Sequence, residues 1–179
     1  MDVIPSLIPG CYELLPRIIH DTRGAFIKTF HFDSFREKGM ETRFQEQYYS
    51  RSRKRVLRGL HFQNPPHDHV KLVYCTEGEV LDVVLDMRRS SPTYGRHIKV
   101  NLSSNNGNIL YIPKGLAHGF YVLSEHATMV YNVSSTYSPE SDDGIHWTSG
   151  GIDWPDMDPI LSDRDRGFKR FEEYESKFI

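Results

Sequence analysis

Hydrophobic and polar positions along the chain form a series of short apolar runs, starting near residue 26 and separated by turn residues. The runs are rich in Val, Ile, Tyr and Phe, which favour strands. Strands are predicted near residues 26–30, 56–62, 70–76, 79–86, 96–102, 108–112, 119–123 and 127–133. Turn signals such as Pro65-Pro66 and Glu77-Gly78 lie between them. Many short strands with regular turns indicate an all-β sandwich or barrel.

The run EVLDVVLD (79–86) alternates only in part. Its even positions from Val80 to Val84 share one face, and its odd positions from Leu81 to Leu85 share the other. Because the second face is wholly apolar and the first carries only one acid, both faces should be covered. This pattern predicts an inner strand of a sheet.

Helix signals are few. Residues 33–39 (DSFREKG) have an Asp start and a Gly stop, which predicts a short surface helix. In residues 162–178 Ser162 is a candidate N-cap, with Asp165 three positions later, and aromatic residues follow at a rough helical spacing. We therefore expect a helical C-terminal segment that packs on the β body.

Composition narrows the class of protein. The 179 residues are 38% apolar and 12% aromatic, which suits one folded domain over residues 1–179 and argues against disorder. A net charge of −2 gives no electrostatic reason for binding nucleic acid. The basic run 51–58 is read as a solvated turn and strand edge, with a phosphate-facing segment as the alternative.

The sequence also shows no signal peptide, no membrane-spanning run and no set of cysteines for a disulfide framework. The first ten residues lack the basic and apolar regions of a signal peptide, and no run is long enough to cross a membrane. Two cysteines, Cys11 and Cys75, cannot hold together a domain of this size. We expect a protein of the reducing cytoplasm that does not bind membranes.

The stretch VLRGLHFQNPPHDHVK (56–71) concentrates the candidate chemistry. The pair His67-x-His69, with GNILYIPKGLAH (107–118) downstream, resembles the two motifs of metal-binding cupins. The second motif fits, and it favours a cupin-type jelly roll. The first lacks the expected carboxylate, since Val73 and Tyr74 occupy those positions, and Lys71 would oppose a bound cation. We expect no metal, and we expect His67 and His69 to be exposed or at the rim of a site.

Other ionisable side chains lie on separate strands or turns that a jelly roll would direct toward one cavity. They are Arg58, His61, Lys71, His118, Tyr131 and Asp165. A neutral His can accept a proton, a carboxylate can orient it, a Lys can stabilise an oxyanion and a Tyr can return a proton. This set suits proton abstraction beside a carbonyl.

The chain also resembles the nucleotide-sugar 3,5-epimerase family over nearly its whole length. The resemblance is carried by DTRGAF (21–26), VLRGLHFQ (56–63), KLVYCTEGEVLDVVLDMRRSSPTYG (71–95), IPKGLAHGFYVLSE (112–125), YSPESDDGIHW (137–147), GIDWP (151–155) and LSDRD (161–165). It implies a cupin-type jelly roll with a few short helices, a homodimer and no cofactor.

The resemblance also implies roles for individual residues. His61 would be the base, Asp165 its partner, Lys71 the group that stabilises the enolate and Tyr131 the acid. Arg58 and His118 would contact sugar and phosphate. Arg23 and Phe26 would contact the nucleotide, commonly across the dimer. Tyr137 is a substrate contact and the alternative acid.

Several positions depart from the family pattern. Relatives tend to carry an acid where this chain has Lys28, and Gln and Asn where it has Glu46 and Tyr48. These three are candidate substrate contacts, so thymidine, cytidine and guanosine remain open as the nucleotide carrier. The implied reaction inverts C3, C5 or both of a nucleotide-diphospho-4-keto-6-deoxyhexose. A metal-dependent cupin enzyme and a non-catalytic sugar-nucleotide-binding protein are the rival classes.

Overall fold

The computed structural model describes residues 1–179, and strands dominate it. The strands are β1 (Asp2–Pro5), β2 (Tyr12–Leu15), β3 (Ile18–Asp21), β4 (Gly24–Ile27), β5 (Glu46–Arg53), β6 (Leu57–Gln63), β7 (Lys71–Glu77), β8 (Glu79–Asp86), β9 (His97–Ser103), β10 (Ile109–Ile112), β11 (Leu116–Val122), β12 (His126–Val133) and β13 (Asp142–Gly144). The helices are α1 (Phe32–Glu37) and α2 (Asp163–Arg166), and a 3₁₀ turn covers Phe171–Glu173.

Two antiparallel sheets face each other, as the strand pattern predicts. One has six strands in the order β1-β2-β10-β7-β12-β5, and the other has five in the order β13-β6-β11-β8-β9. Strands β3 and β4 form a separate hairpin. The arrangement is a jelly-roll sandwich, and it confirms the predicted fold class.

The main core lies between the sheets, where Val73 and Leu110 of one sheet meet Val84 and Phe120 of the other. A second apolar cluster covers the outer face of the five-stranded sheet with the C-terminal third of the chain. A third packs around Phe35 of α1 on the outer face of the six-stranded sheet. Strand β8 contributes to the first two clusters and is an inner strand, as its sequence predicts.

The C-terminal prediction is wrong in part. Ser162 does cap a helix, since its side chain accepts the backbone N–H of Asp165, but α2 ends after one turn at Gly167. Beyond it the chain is mostly extended, and its aromatic side chains pack singly into the second cluster. Their spacing therefore reflects separate contacts of an extended segment with the second cluster, and not the turns of a helix.

An irregularity in β6 determines which side chains enter the space between the sheets. In a regular strand, Arg58 and His61 would face opposite sides, because they are three positions apart. A register shift opposite β11 pairs His61 with His118 and Arg58 with Phe120, so both can face inward. A side chain at Gly59 would place its Cβ 2.5 Å from Gly119 Cα, so the close approach requires glycine.

No helix in the fold has the length and apolar character needed to cross a bilayer.

Candidate active site

A cavity lies between the inner faces of the two sheets. Its larger part, of about 320 Å³, is bordered by strands β5, β6 and β7 and by the segment after β12. A smaller chamber of about 200 Å³ adjoins it, and Tyr48, His61 and Lys71 border both spaces. The five-stranded sheet contributes His61, and the six-stranded sheet contributes Lys71 and Tyr131.

His61 and Asp165 form a hydrogen-bonded pair at the cavity wall, with 2.8 Å between His61 Nε2 and Asp165 Oδ1. The backbone N–H of Gly59 donates to the other carboxylate oxygen. Burial would raise the pKa of Asp165, but these hydrogen bonds outweigh it and hold the pKa below its usual value. An ionised Asp165 accepts the Nε2–H and leaves His61 Nδ1 unprotonated, so the imidazole can act as a base.

Lys71 is a buried cation beside that base. Its Nζ donates to the backbone oxygen of His61 at 3.0 Å. Burial lowers the pKa of Lys71 to about 8, although the carboxylates of Asp142 and Asp82 act in the opposite direction. A poorly solvated ammonium of this kind stabilises a negative charge that develops nearby.

His118 is held by a buried carboxylate on the neighbouring strand. Its Nε2 lies 2.8 and 3.0 Å from the two oxygens of Asp82. Burial raises the pKa of Asp82 and lowers the pKa of His118, because each charged form loses hydration. The pair fixes the orientation of the imidazole, which borders the smaller chamber.

Tyr131 lies on the wall opposite His61 and is 7% exposed. Its Oη is 3.4 Å from Ser50 Oγ, and burial raises the pKa of Tyr131 well above its usual value. The phenol therefore stays protonated over the physiological range and can donate a proton. Its ring stacks on Tyr48 and meets the edge of His118.

Polar and aromatic groups surround the outer part of the cavity. Glu46 accepts the backbone N–H of Tyr137, and the Tyr137 hydroxyl donates to Asp142. Arg164 forms a 2.7 Å ion pair with the same carboxylate. Tyr137 is 60% exposed, so it offers a ring face at the entrance. Arg58 is exposed at the edge of the smaller chamber, where its Nε donates to Ser52.

The remaining three predicted contacts are not part of this cavity. Arg23, Phe26 and Lys28 lie on or just after the β3–β4 hairpin, and all three are exposed. Phe26 and Lys28 border a different surface depression. Arg23 forms an exposed ion pair with Asp21. Within one subunit these residues do not meet His61 or Lys71.

The two loop histidines are half-buried rather than freely exposed. His67 hydrogen bonds to the hydroxyls of Ser138 and Ser141, so it supports the loop. His69 borders the cavity, and burial, with the nearby charge of Lys71, lowers its pKa to about 3. No three His, Cys, Asp or Glu side chains are grouped to hold a metal ion.

Among the residues of the site that were not predicted are Ser50, Asp82, Asp142 and Arg164. Asp82 carried a usable signal, since an acid between Val80 and Val84 on a covered face must have a buried partner. The other three lie in polar segments whose pairing depends on the fold.

The fold and the site together define a cupin-type jelly-roll protein with an interior cavity equipped for acid–base chemistry. The chain belongs to the dTDP-4-dehydrorhamnose 3,5-epimerase family, whose sequence model matches residues 5–173. The family consists of isomerases, and its known fold agrees with the architecture described above.

Individual relatives span nearly the same length. The chain is 44% identical to the dTDP-4-dehydrorhamnose 3,5-epimerase of Shigella flexneri over 96% of both chains. It is similar to the Legionella pneumophila 3,5-epimerase solved with dTDP-4-keto-L-rhamnose (39% identity, 98% and 95% coverage, TM-score 0.93). It is also similar to a 3′-monoepimerase of Streptomyces bikiniensis solved with dTDP-quinovose (34% identity, 93% and 86% coverage, TM-score 0.89).

Proposed function

We propose that this protein is an epimerase that inverts C3, C5 or both of a nucleotide-diphospho-4-keto-6-deoxyhexose. The favoured reaction converts dTDP-4-dehydro-6-deoxy-D-glucose to dTDP-4-dehydro-L-rhamnose, the reaction type for which the Shigella relative is named. One observation carries the proposal: His61 of one sheet, paired with Asp165 of α2, faces a buried Lys and a buried Tyr on the other sheet.

The C4 ketone acidifies the hydrogens on C3 and C5. His61, oriented by Asp165, removes one of them through its free nitrogen, and the electron pair moves onto the C4 oxygen to form an enolate. The Lys71 ammonium stabilises that oxygen by charge and hydrogen bonding, more strongly here than in water because the site is buried.

Inversion requires that the new proton arrive from the other face of the sugar ring. Tyr131 is the proposed acid, because it belongs to the sheet opposite His61 and stays protonated. Tyr137 is the alternative acid. Its exposure and its hydrogen bond to Asp142 favour a role at the entrance of the cavity instead.

Groups near the entrance are proposed to bind the rest of the substrate. Arg58 and His118 would contact the sugar and the diphosphate. The exposed ring of Tyr137 can stack on a base, and Glu46 and Tyr48 border the same space. The Glu46 carboxylate at this place bears on the choice of base, which the panel of nucleotide carriers below measures.

We propose that the protein is a homodimer in which each β3–β4 hairpin completes the partner's site. Arg23, Phe26 and Lys28 are exposed and do not border their own subunit's cavity, and an isolated two-stranded hairpin is only marginally stable in water. A cytoplasmic location remains a proposal. It is supported by two cysteines that are buried and unpaired.

A panel experiment tests the function. The protein is incubated in D₂O with dTDP-, CDP- and GDP-linked 4-keto-6-deoxy sugars, and NMR follows deuterium and configuration at C3 and C5. We expect deuterium with inversion on the dTDP sugar. Binding without exchange would indicate a non-catalytic protein, and activity lost to a chelator would indicate a metal-dependent one.

The base is tested by His61→Asn, which keeps a polar side chain but removes the imidazole. The rate should fall at least ~10²-fold, the lower end for a positioned acid–base group. His67→Asn is the matched control, because the His67 side chain bonds only to Ser138 and Ser141, between β12 and β13, and does not border the cavity. Near-wild-type turnover by His61→Asn, with the fold intact by circular dichroism, would contradict the assignment.

A further inference from the structure

Tyr48 and Tyr131 form a stacked pair across neighbouring strands. They are direct partners in the β5–β12 register, and their ring centroids are 4.8 Å apart with 17° between the ring planes. Tyr48 stands at the junction of the two parts of the cavity. It therefore covers one face of the phenol that the proposed function uses as the acid.

Apart from the main core, in which its ring is packed, few other contacts fix the direction of the Tyr131 phenol. Its hydroxyl has one polar neighbour in the protein, Ser50 Oγ, at a distance of 3.4 Å that makes a weak hydrogen bond. His118 meets the ring edge-on at 6.1 Å. The Tyr48 ring is thus the main flat surface against which Tyr131 rests.

The hydroxyl of Tyr48 makes no hydrogen bond within the protein, whereas its ring makes the stack. Burial raises the pKa of this hydroxyl to about 12, so it remains neutral. The contribution of Tyr48 to its neighbour is therefore that of a ring surface, which phenylalanine would reproduce.

We propose that Tyr48 is a positioning residue that holds the Tyr131 phenol toward the sugar face opposite His61, and so sets how often enolate formation ends in inversion. The proposal rests on the proposed function. An enolate that forms while Tyr131 points away has one route back, in which His61 exchanges the abstracted proton with D₂O and returns a deuteron to the face it deprotonated. Loss of the stack should therefore favour exchange with retention over inversion.

The test measures, in D₂O by NMR, the ratio of inverted product to sugar that is deuterated with its configuration retained. Tyr48→Asn, which removes the ring but keeps a polar side chain, should lower this ratio about three- to tenfold, the population factor that an aromatic pair supplies. Tyr48→Leu keeps bulk without a flat ring and should lower it as well. Tyr48→Phe should keep the wild-type ratio.

Tyr49→Asn is the matched control, because Tyr49 is the next residue on the same strand and is 67% exposed. Its ratio and turnover should match the wild type. An unchanged ratio in folded Tyr48→Asn and Tyr48→Leu would overturn the proposal, as would a Tyr48→Phe ratio as low as theirs. A wild-type protein that neither exchanges nor inverts any sugar nucleotide would contradict the proposed function itself.

Discussion

Lys71 shows how burial adapts one residue to the proposed chemistry. With its pKa lowered to about 8, it is cationic below that pH and neutral above it. The cation is the form that stabilises an enolate, so kcat/KM should fall as the pH rises through about 8. The profile from pH about 6.5 to about 9.5 checks this, because kcat/KM reports the groups of the free enzyme.

Lys71→Arg separates charge from geometry in the same experiment, because a guanidinium stays protonated throughout this range. The kcat/KM of Lys71→Arg should not fall near pH 8, whatever the absolute rate of the variant. A wild-type profile that stays flat to about pH 9.5 would show that Lys71 remains charged or that it does not stabilise the transition state.

Tyr131→Phe separates the proposed acid from the base. The change removes the phenolic proton but keeps the ring that packs on Tyr48 and in the main core. Enolate formation by His61 and Lys71 should persist, so deuterium should still enter the sugar with retention. Inverted product should fall at least ~10²-fold.

The outcome of that variant also decides between the two tyrosines. If Tyr131→Phe inverts both centres at a near-normal rate, Tyr131 is a core aromatic and Tyr137 becomes the first candidate for the acid. Tyr137→Phe, measured in parallel, should invert at a near-normal rate, because it keeps the exposed ring at the entrance and loses only the hydrogen bond to Asp142.

Residue identities predicted the proposed base pair and Lys71 because those side chains lie in family motifs. They could not predict which partner each side chain meets. Asp82 and His118 come together only because β8 and β11 are adjacent in the sheet, and their positions are 36 apart in the chain. Ser50 and Tyr131 likewise depend on the pairing of β5 with β12.

At the scale of elements, strands with apolar runs were predictable, including β6, β7 and β12 at the cavity, and β5 was not. Strand β5 was missed because its inward positions include Tyr48, Ser50 and Ser52, which face the site rather than the apolar core. The predicted C-terminal helix failed for a related reason. The regular spacing of aromatic residues after Gly167 indicates that they are buried. An extended segment that crosses an apolar surface buries such residues as well as a helix does.

The close approach of β6 and β11 gives a prediction about stability. Gly59→Ala would place a Cβ 2.5 Å from Gly119 Cα at a φ of +135°, so the strands must separate. Gly24→Ala is the matched control, because Gly24 has a φ of +126° but no atom within 4 Å of its Cβ.

We expect Gly24→Ala to cost about 1–2 kcal/mol in free energy of unfolding, from backbone conformation alone. Gly59→Ala should cost at least ~2 kcal/mol more, by analogy with overpacked core substitutions, and should also move His61 and Arg58. Urea unfolding measures both. Equal losses for the two variants would show that the strands absorb the added Cβ without separating.

At the scale of the whole molecule, one subunit holds its predicted nucleotide contacts away from its own cavity and leaves part of its apolar surface uncovered. The hairpin exposes Ile19 and Phe26, which are 49% and 60% exposed, and it carries the predicted nucleotide contacts. A symmetric dimer resolves both features if each hairpin covers the partner's cavity, because a two-fold axis repeats the contact in both directions.

Subunit mixing tests this arrangement. One variant is His61→Asn with an intact hairpin, and the other is Arg23→Ala/Phe26→Ala with an intact His61. Each alone should be nearly inactive. When the two are coexpressed, a mixed dimer should contain one site with wild-type His61 and a wild-type hairpin from its partner. Random pairing makes half the dimers mixed, so activity should recover to about a quarter of the wild-type value. Sedimentation velocity confirms that the variants associate. If dimers form and no activity returns, each hairpin serves its own subunit, and Arg23 and Phe26 must reach the cavity by moving within one chain.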